Sequence, residues 1–342
     1  MRLRILLAFA ALAVPLGLAL RAEGAPAPPE LLSQTALYDA SGAIAPGNRP
    51  FQPQYPLWTD GAVKARWIRL PHGKKIDVSD VDLWRFPEGT KLWKEFSFGG
   101  RKVETRMLWK TGGDWVFASY VWDADQSDAH LAPPEGISGI VEIAPGKRHS
   151  IPSLADCAAC HRSSPATVLG FNALQLSDDR DPLAPHGAPL KADDLTLRSL
   201  LDADVLEPAR KELAIHPPRV RENDPVARAA IGYLSGNCGG CHNGTGPLAR
   251  LGMNLLHGEA VEPTASEPAR LTAVDVGGGF LVPGHGPETS RRVAPGAPER
   301  SALLYRMKSR RPSSQMPPLG TVVRDEEAVQ LVQRWIEGMG RP

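Results

Sequence analysis

The chain between about Pro53 and about Pro145 alternates polar with aromatic or aliphatic residues in short runs. A period of two places the apolar side chains of a run on one face of a strand. Turn-forming Gly and Pro residues separate the runs. The runs that show the pattern are Ala65–Leu70, Thr90–Phe98, Lys102–Trp109 and Trp115–Trp122. Together they predict an antiparallel β-sandwich or β-barrel.

Tryptophan is concentrated in this region, because seven of the eight tryptophans lie between Trp58 and Trp122. We interpret them as core and cross-strand packing residues, with an aromatic binding platform as the alternative. Acidic residues in the same region are interpreted as solvated turn residues, with a cation-binding loop as the alternative. These are Asp60, Asp123, Asp125 and Asp128.

From Ile151 onward the periodicity becomes helical, with loops rich in Pro and Gly between the helices. Pro225 stands at the favoured first position of one helix, and acidic residues occupy the first turn of the last one. The predicted helices are Ser153–His161, Leu195–Leu206, Asp224–Gly236, Ser301–Lys308 and Arg324–Met339. The predicted fold class is therefore α+β, with several domains. A β-rich domain over 26–150 is followed by two small, mainly α modules over 151–222 and 223–342.

The N-terminus has the pattern of a Sec signal peptide. Arg2 and Arg4 precede an apolar run over Ile5–Leu20, and small residues follow as far as Ala25. This arrangement predicts that residues 1–25 are a signal peptide and that the protein is exported to the periplasm. An uncleaved anchor is the alternative. No second long apolar stretch occurs, so we expect no stable membrane insertion after cleavage.

Charge gives little indication of a partner. The 342 residues include 39 basic and 38 acidic residues, for a net charge of +1. A balanced chain gives no reason to expect nucleic acid as a partner.

All four cysteines belong to two Cys-x-x-Cys-His runs, a pattern that indicates covalently attached haem. Two thiols add across the vinyl groups of one porphyrin, and the adjacent histidine is placed to bind the iron through Nε2. The runs are Cys157, Cys160, His161 and Cys238, Cys241, His242. A zinc knuckle leaves the repeated histidine unexplained, and a thiol redox site is expected in a βαβ unit that neither run has. The sequence therefore predicts two haem c groups in two cytochrome c-like modules.

The second axial ligand decides what each iron can do. Met316 lies in the loop Gln315–Gly320, and two prolines stiffen this loop. We predict that Met316 completes the coordination of the second haem with His242, while Met253 and Met307 are weaker candidates.

The first haem lacks an obvious methionine, since none lies between His161 and Met253. His186 and His216 are candidates for its distal ligand, although a surface or structural role explains either one. Met107 of the β-rich region is a further conceivable ligand, and an open distal site is the remaining alternative, which would permit chemistry on a small ligand.

Several stretches resemble a family of bacterial diheme c-type cytochromes that carry an N-terminal β-rich domain. The stretches are Tyr233–His242, Val293–Ser301, Tyr305–Met307, Gln315–Gly320, Trp335–Ile336, Tyr55–Gly61 and Tyr120–Asp123. The resemblance implies that His242 and Met316 ligate the second haem. It also implies that the first haem is attached at Cys157 and Cys160 beside His161.

Three functions are compatible with these features. The first is a periplasmic carrier that exchanges single electrons with redox partner proteins and has no catalytic residues. The second is a diheme peroxidase-like enzyme with an open site at the first haem. The third is a binding protein whose β-rich domain recognises a ligand and whose haems serve a partner dehydrogenase.

Overall fold

The computed structural model describes residues 26–259 and 265–340. The predicted signal peptide lies outside these residues. In chain order the strands are β1 (Arg49–Pro50), β2 (Val63–Arg69), β3 (Ile76–Asp77), β4 (Lys91–Phe98), β5 (Arg101–Thr111), β6 (Asp114–Trp122), β7 (Ala129–Leu131), β8 (Ile137–Ala144), β9 (Lys147–Ile151) and β10 (Leu206–Glu207). The helices are α1 (Leu154–His161), α2 (Leu197–Asp202), α3 (Glu212–Ile215), α4 (Pro225–Cys238), α5 (Pro268–Ala273), α6 (Ala302–Lys308) and α7 (Glu326–Gly338).

The central element is a six-stranded antiparallel sheet with the strand order β1-β2-β4-β5-β6-β7. The predicted antiparallel β structure is confirmed, and the fold is a mixture of helices and strands. The sheet remains open, so the prediction of a barrel is wrong. Two small sheets accompany it, a parallel pair of β3 with β10 and a β8–β9 hairpin.

The first face of the sheet is covered by the N-terminal segment, not by a second sheet. Leu32 and Leu37 pack there against Trp93, Met107 and Tyr120. Residues two apart on a strand share a face, so the strand pattern predicts that the three strand residues are buried. It does not predict which segment covers them.

The second face is covered by chain from the helical half. Ile68, Leu92 and Trp115 of the sheet share a core with Phe171 and Leu195. This core therefore contains residues from both sides of position 150. Because irregular segments bury both apolar faces, the sheet needs neither closure nor a partner sheet.

The helical half is built around the pairing of α4 with α7. The side chain of Asp224 accepts a hydrogen bond from the N–H of Ala227 at 2.7 Å, which caps α4 directly before Pro225. Asp325 caps α7 in the same way. These local signals explain why both helices begin close to their predicted positions. α2, in contrast, is shorter than the predicted Leu195–Leu206 helix.

Helix α4 also contacts the segment between β1 and β2. Tyr55 packs directly on Gly232, where an added Cβ would overlap the tyrosine ring. The hydroxyl of Tyr55 donates a hydrogen bond to Asp181 at 2.9 Å. Tyr55 is therefore part of the helical core, whose members include Leu234, Leu331 and Trp335.

Within the described ranges, no helix combines the length and apolar character that crossing a membrane requires.

Candidate cofactor site

Both Cys-x-x-Cys-His runs face one cavity of about 910 Å³. This volume is at the upper end of the range of ~300–1,000 Å³ that is usual for ligand sites. The motif residues that line the cavity are Cys157, Cys160, His161, Cys238, Cys241 and His242. The fold thus brings together two motifs that are far apart in the sequence.

The first motif lies on α1. Ser153 and Asp156 form a capping box at the start of this helix, which fixes where it begins. The imidazole of His161 stacks at a tilt near the ring of Phe117 on β6, with 5.3 Å between the ring centroids. The β-sheet therefore contacts the first motif directly.

The ring of His161 has a defined orientation. Its Nδ1 lies 2.7 Å from the carbonyl oxygen of Thr167, so Nδ1–H donates to that oxygen. Burial lowers the pKa of His161 to about 4, and the Thr167 carbonyl opposes this effect only in part. The histidine is neutral, with the lone pair on Nε2 free to bind a metal.

The second motif begins at the last residue of α4. The N–H of His242 donates to the carbonyl of Cys238 at 2.8 Å, and the carbonyl of His242 accepts from Leu255 at 2.8 Å. The side chain is almost fully buried, and its Nδ1 has no hydrogen-bond partner among the described residues. Burial, reinforced by the charges of Arg306 and Arg292, lowers the pKa of His242. This imidazole is therefore also neutral.

Asn243 connects the two motifs. Its Nδ2 donates to the carbonyl of Ser163 at 3.2 Å and to the carbonyl of Gly240 at 3.0 Å. Its Oδ1 accepts from the N–H groups of Thr245 and Gly246 at 3.1 and 2.7 Å. One buried amide thus holds the chain that follows the first motif against the turn of the second.

The four thiols have different surroundings. Burial raises the pKa of Cys157 to about 11 and that of Cys238 to about 12. The thiols of Cys160 and Cys241 are close enough to influence each other, which raises the pKa of Cys160 and lowers the pKa of Cys241 to about 7. The attachment points of the two motifs are therefore adjacent.

Met316 lines the same cavity as His242. Its N–H donates to the carbonyl of Arg306 at 3.0 Å, so the methionine loop is attached to α6. Met253 and Met307 also line the cavity. The structure therefore brings all three candidate methionines to the cavity.

The two candidate histidines lie elsewhere. Nε2 of His186 is 2.9 Å from Asp325, and its Nδ1 is 3.4 Å from Glu327. His216 is an exposed residue at the end of α3. Neither histidine lines the cavity.

Sequence reasoning missed a buried polar network in the cavity wall. His149 lies 3.1 Å from a carboxylate oxygen of Asp60 through Nδ1 and 3.1 Å from Glu104 through Nε2. Burial lowers the pKa of His149, but the hydrogen bonds to Asp60 and Glu104 raise it by more, to above its usual value. The interpretation of Asp60 as a solvated turn residue is wrong, because Asp60 is 6% exposed.

Sequence reasoning also missed three cations of the sheet, Arg66, Lys94 and Arg106, which line the cavity. The signal was present in the alternation of the strands. These residues occupy polar positions of three strands that are neighbours in the sheet. The sequence does not distinguish a polar position that faces solvent from one that faces a cavity.

The residues present fit a covalently attached porphyrin. The thiols and the neutral histidines of both motifs face one large cavity, and the bond from Nδ1 of His161 to the Thr167 carbonyl leaves Nε2 of that ring for a metal. Within the described ranges, no three His, Cys, Asp or Glu side chains converge on a point that could hold a bare metal ion. A structural zinc site is built from four converging ligands.

Comparison with models of protein families, with curated proteins and with solved structures finds no match to this chain.

Proposed function

We propose that this protein is an exported diheme c-type cytochrome that exchanges single electrons with partner proteins. The observation that supports this most directly is that both Cys-x-x-Cys-His runs face one cavity, with Cys160 and Cys241 close enough to influence each other's pKa. Two neighbouring attachment points inside one protein cavity suit a protein in which an electron enters at one centre and leaves from the other.

Each motif would hold one haem group. Cys157 and Cys160 would attach the first group beside His161, and the second motif would attach the other beside His242. When bound, each group supplies an iron centre that changes its oxidation state by one electron.

The chain's own residues set the conditions at these centres. The Thr167 carbonyl fixes the tautomer of His161, and a fixed tautomer keeps Nε2 available as a ligand. Met316, attached to α6 through its backbone, is the proposed second ligand for the centre at His242. A thioether ligand and burial both favour the ferrous form, so this centre is expected to have the higher reduction potential.

Export is part of the proposal, because haem is attached to such motifs outside the cytoplasm. It is supported by the basic and apolar pattern of residues 1–25. N-terminal sequencing of the protein recovered from the periplasm should begin near residue 26. A protein that stays in the cytoplasm without haem would contradict this part.

The test of attachment is the mass of the mature protein produced in a host that can attach haem c. We expect two haem groups per chain. Cys157→Ala with Cys160→Ala should remove one group, and Cys238→Ala with Cys241→Ala should remove the other, so each double variant is the control for its counterpart. An unmodified polypeptide mass in the wild type would overturn the proposal.

A peroxidase-like enzyme is the second candidate, and one observation favours it. Neither His186 nor His216 lines the cavity, and the methionines that do are Met253, Met307 and Met316, all from the C-terminal part of the chain. Electron paramagnetic resonance of the oxidised protein separates the two candidates. Two low-spin signals support the carrier, whereas a high-spin signal from one of the two haems supports an enzyme with an open site.

A further inference from the structure

Three cations form a row across the sheet and face the cavity. Arg66 on β2 lies directly opposite Lys94 on β4, and Lys94 lies directly opposite Arg106 on β5. All three side chains line the cavity. We call Arg66, Lys94 and Arg106 the cation row.

Such a row is unfavourable by itself. Directly opposed residues in an antiparallel pair have Cβ atoms only ~4.5–5.5 Å apart, and like charges at this separation destabilise the pair. Two positions further along β2 and β4, on the same face, Ile68 and Leu92 lie in the hydrophobic core. The cations therefore lie between a hydrophobic core and the cavity.

The protein neutralises only one end of the row. Arg106 Nε donates to Glu104 at 3.0 Å. Arg66 is 7% exposed, and its hydrogen-bond partner is the neutral amide of Gln52 at 3.4 Å. Lys94 has no hydrogen-bond or ion-pair partner among the described residues. Arg66, which is buried, and Lys94, which is half-buried, thus face the cavity without a counter-ion, an arrangement that is costly unless an anion joins them.

Aromatic contact reduces this cost but supplies no negative charge. The Nζ of Lys94 lies 5.0 Å from the ring centre of Phe96, and the guanidinium of Arg106 lies 4.3 Å from it. A cation above an aromatic ring is attracted to the negative face of the ring. Burial and the neighbouring Arg66 still hold the pKa of Lys94 well below its usual value.

We propose that the cation row holds an anionic oxygen group inside the cavity. Two sources have this chemistry, the carboxylate arms of the porphyrin attached at the first motif and a free small oxyanion. The row is close to that motif. The charge of Arg106 lowers the pKa values of the Cys157 and Cys160 thiols, and the charge of Lys94 lowers the pKa of His161. The first source rests on the proposed function, whereas the second does not.

The experiment is a pair of crystal structures of the mature haem-loaded protein, one grown without oxyanions and one with selenate. A porphyrin carboxylate within hydrogen-bond distance of Arg66 and Lys94 in both crystals supports the first source. An anomalous selenium peak on the row in the second crystal supports the second source. Side chains that contact only protein or water in both crystals overturn the proposal.

A solution measurement adds a matched comparison. If selenate is the occupant, Lys94→Gln should weaken its affinity, measured by calorimetry, by about tenfold or more. Lys91→Gln is the control, because Lys91 is on the same strand and donates instead to the Thr35 carbonyl at 2.9 Å. It should leave the affinity unchanged, and equal losses in both variants would overturn selenate binding at the row.

The haem content of the same samples keeps the two proposals separate. If the mass shows no haem, the proposed function fails, and the selenate crystal and titration of that sample still decide whether the row binds an anion. If the mass shows two haems and the row contacts neither a carboxylate nor selenate, only the row proposal fails.

Discussion

Replacing Gly232 by alanine has two opposing effects on the stability of the protein, one through helix propensity and one through packing. Alanine in the interior of a helix is favoured over glycine by about 1 kcal/mol, so propensity alone predicts stabilisation. The added methyl group would, however, overlap the ring of Tyr55, which is 1% exposed. Overpacking of this kind costs ~1–3 kcal/mol.

Moving the ring has a further cost. The Tyr55 hydroxyl donates to the Asp181 carboxylate at 2.9 Å, and a hydrogen bond to a charged group contributes ~1.5–3 kcal/mol. The unfavourable effects exceed the gain in propensity. We expect Gly232→Ala to lower the free energy of unfolding by about 2–3 kcal/mol.

The assay is urea denaturation of the haem-loaded protein, followed by far-ultraviolet circular dichroism. Gly338→Ala is the control, because Gly338 is also helical and an added Cβ there meets open space. This control should be unchanged or more stable by up to ~1 kcal/mol. A Gly232→Ala protein at least as stable as the wild type would refute the contact between Tyr55 and α4.

Three other predictions concern the cavity and its surroundings. Met316→Ala should abolish the ferric thioether absorption band of one haem and lower its potential, whereas an unchanged spectrum would reject Met316 as a ligand. Asn243→Ala should destabilise the protein by about 2–4 kcal/mol in urea denaturation, because it leaves buried backbone groups unpaired; Asn254→Ala, which removes a single 3.0 Å bond to a backbone N–H, should cost less. Burial lowers the pKa of His257, but hydrogen bonds to carboxylates that include Glu267 raise it by more, to about 9. The protonated His257 therefore stabilises the fold fully below pH ~6.5 and progressively less as the pH rises through about 9, a decline that His257→Gln should flatten in pH-dependent unfolding.

Elements with local signals were predictable from the sequence. Helix α4 begins where Asp224 and Pro225 indicate, and α7 begins beside the acidic residues at 325–327. Strands β5 and β6 contain the predicted alternating runs. Capping, proline position and residue alternation act within a few residues of chain, so one sequence contains them.

The open sheet could not be predicted in the same way. Alternation shows which side chains share a face, but it does not show that Leu32 covers one face and Phe171 the other. Both contacts join residues that are far apart in the sequence. A sandwich or barrel was the simplest way to bury two apolar faces, and irregular segments do so here instead.

The candidate site likewise contains a part that could be predicted from the sequence and a part that could not. The Cys-x-x-Cys-His runs are local patterns, so their residues could be named from the sequence. The partnership of Asp60 with His149 and the row through Lys94 depend on strand register and on how the chain returns to the sheet.

The shared core of the sheet determines what can be transplanted from this protein. Phe171 packs edge-on against Phe51 and Trp84, with ring centroids 4.8 and 5.9 Å apart. A chimera that keeps only the strands would expose this aromatic surface to solvent and would be prone to aggregation. A chimera that keeps only the helices would lose one wall of the cavity. The β-rich half and the helical half therefore have to be expressed and engineered together.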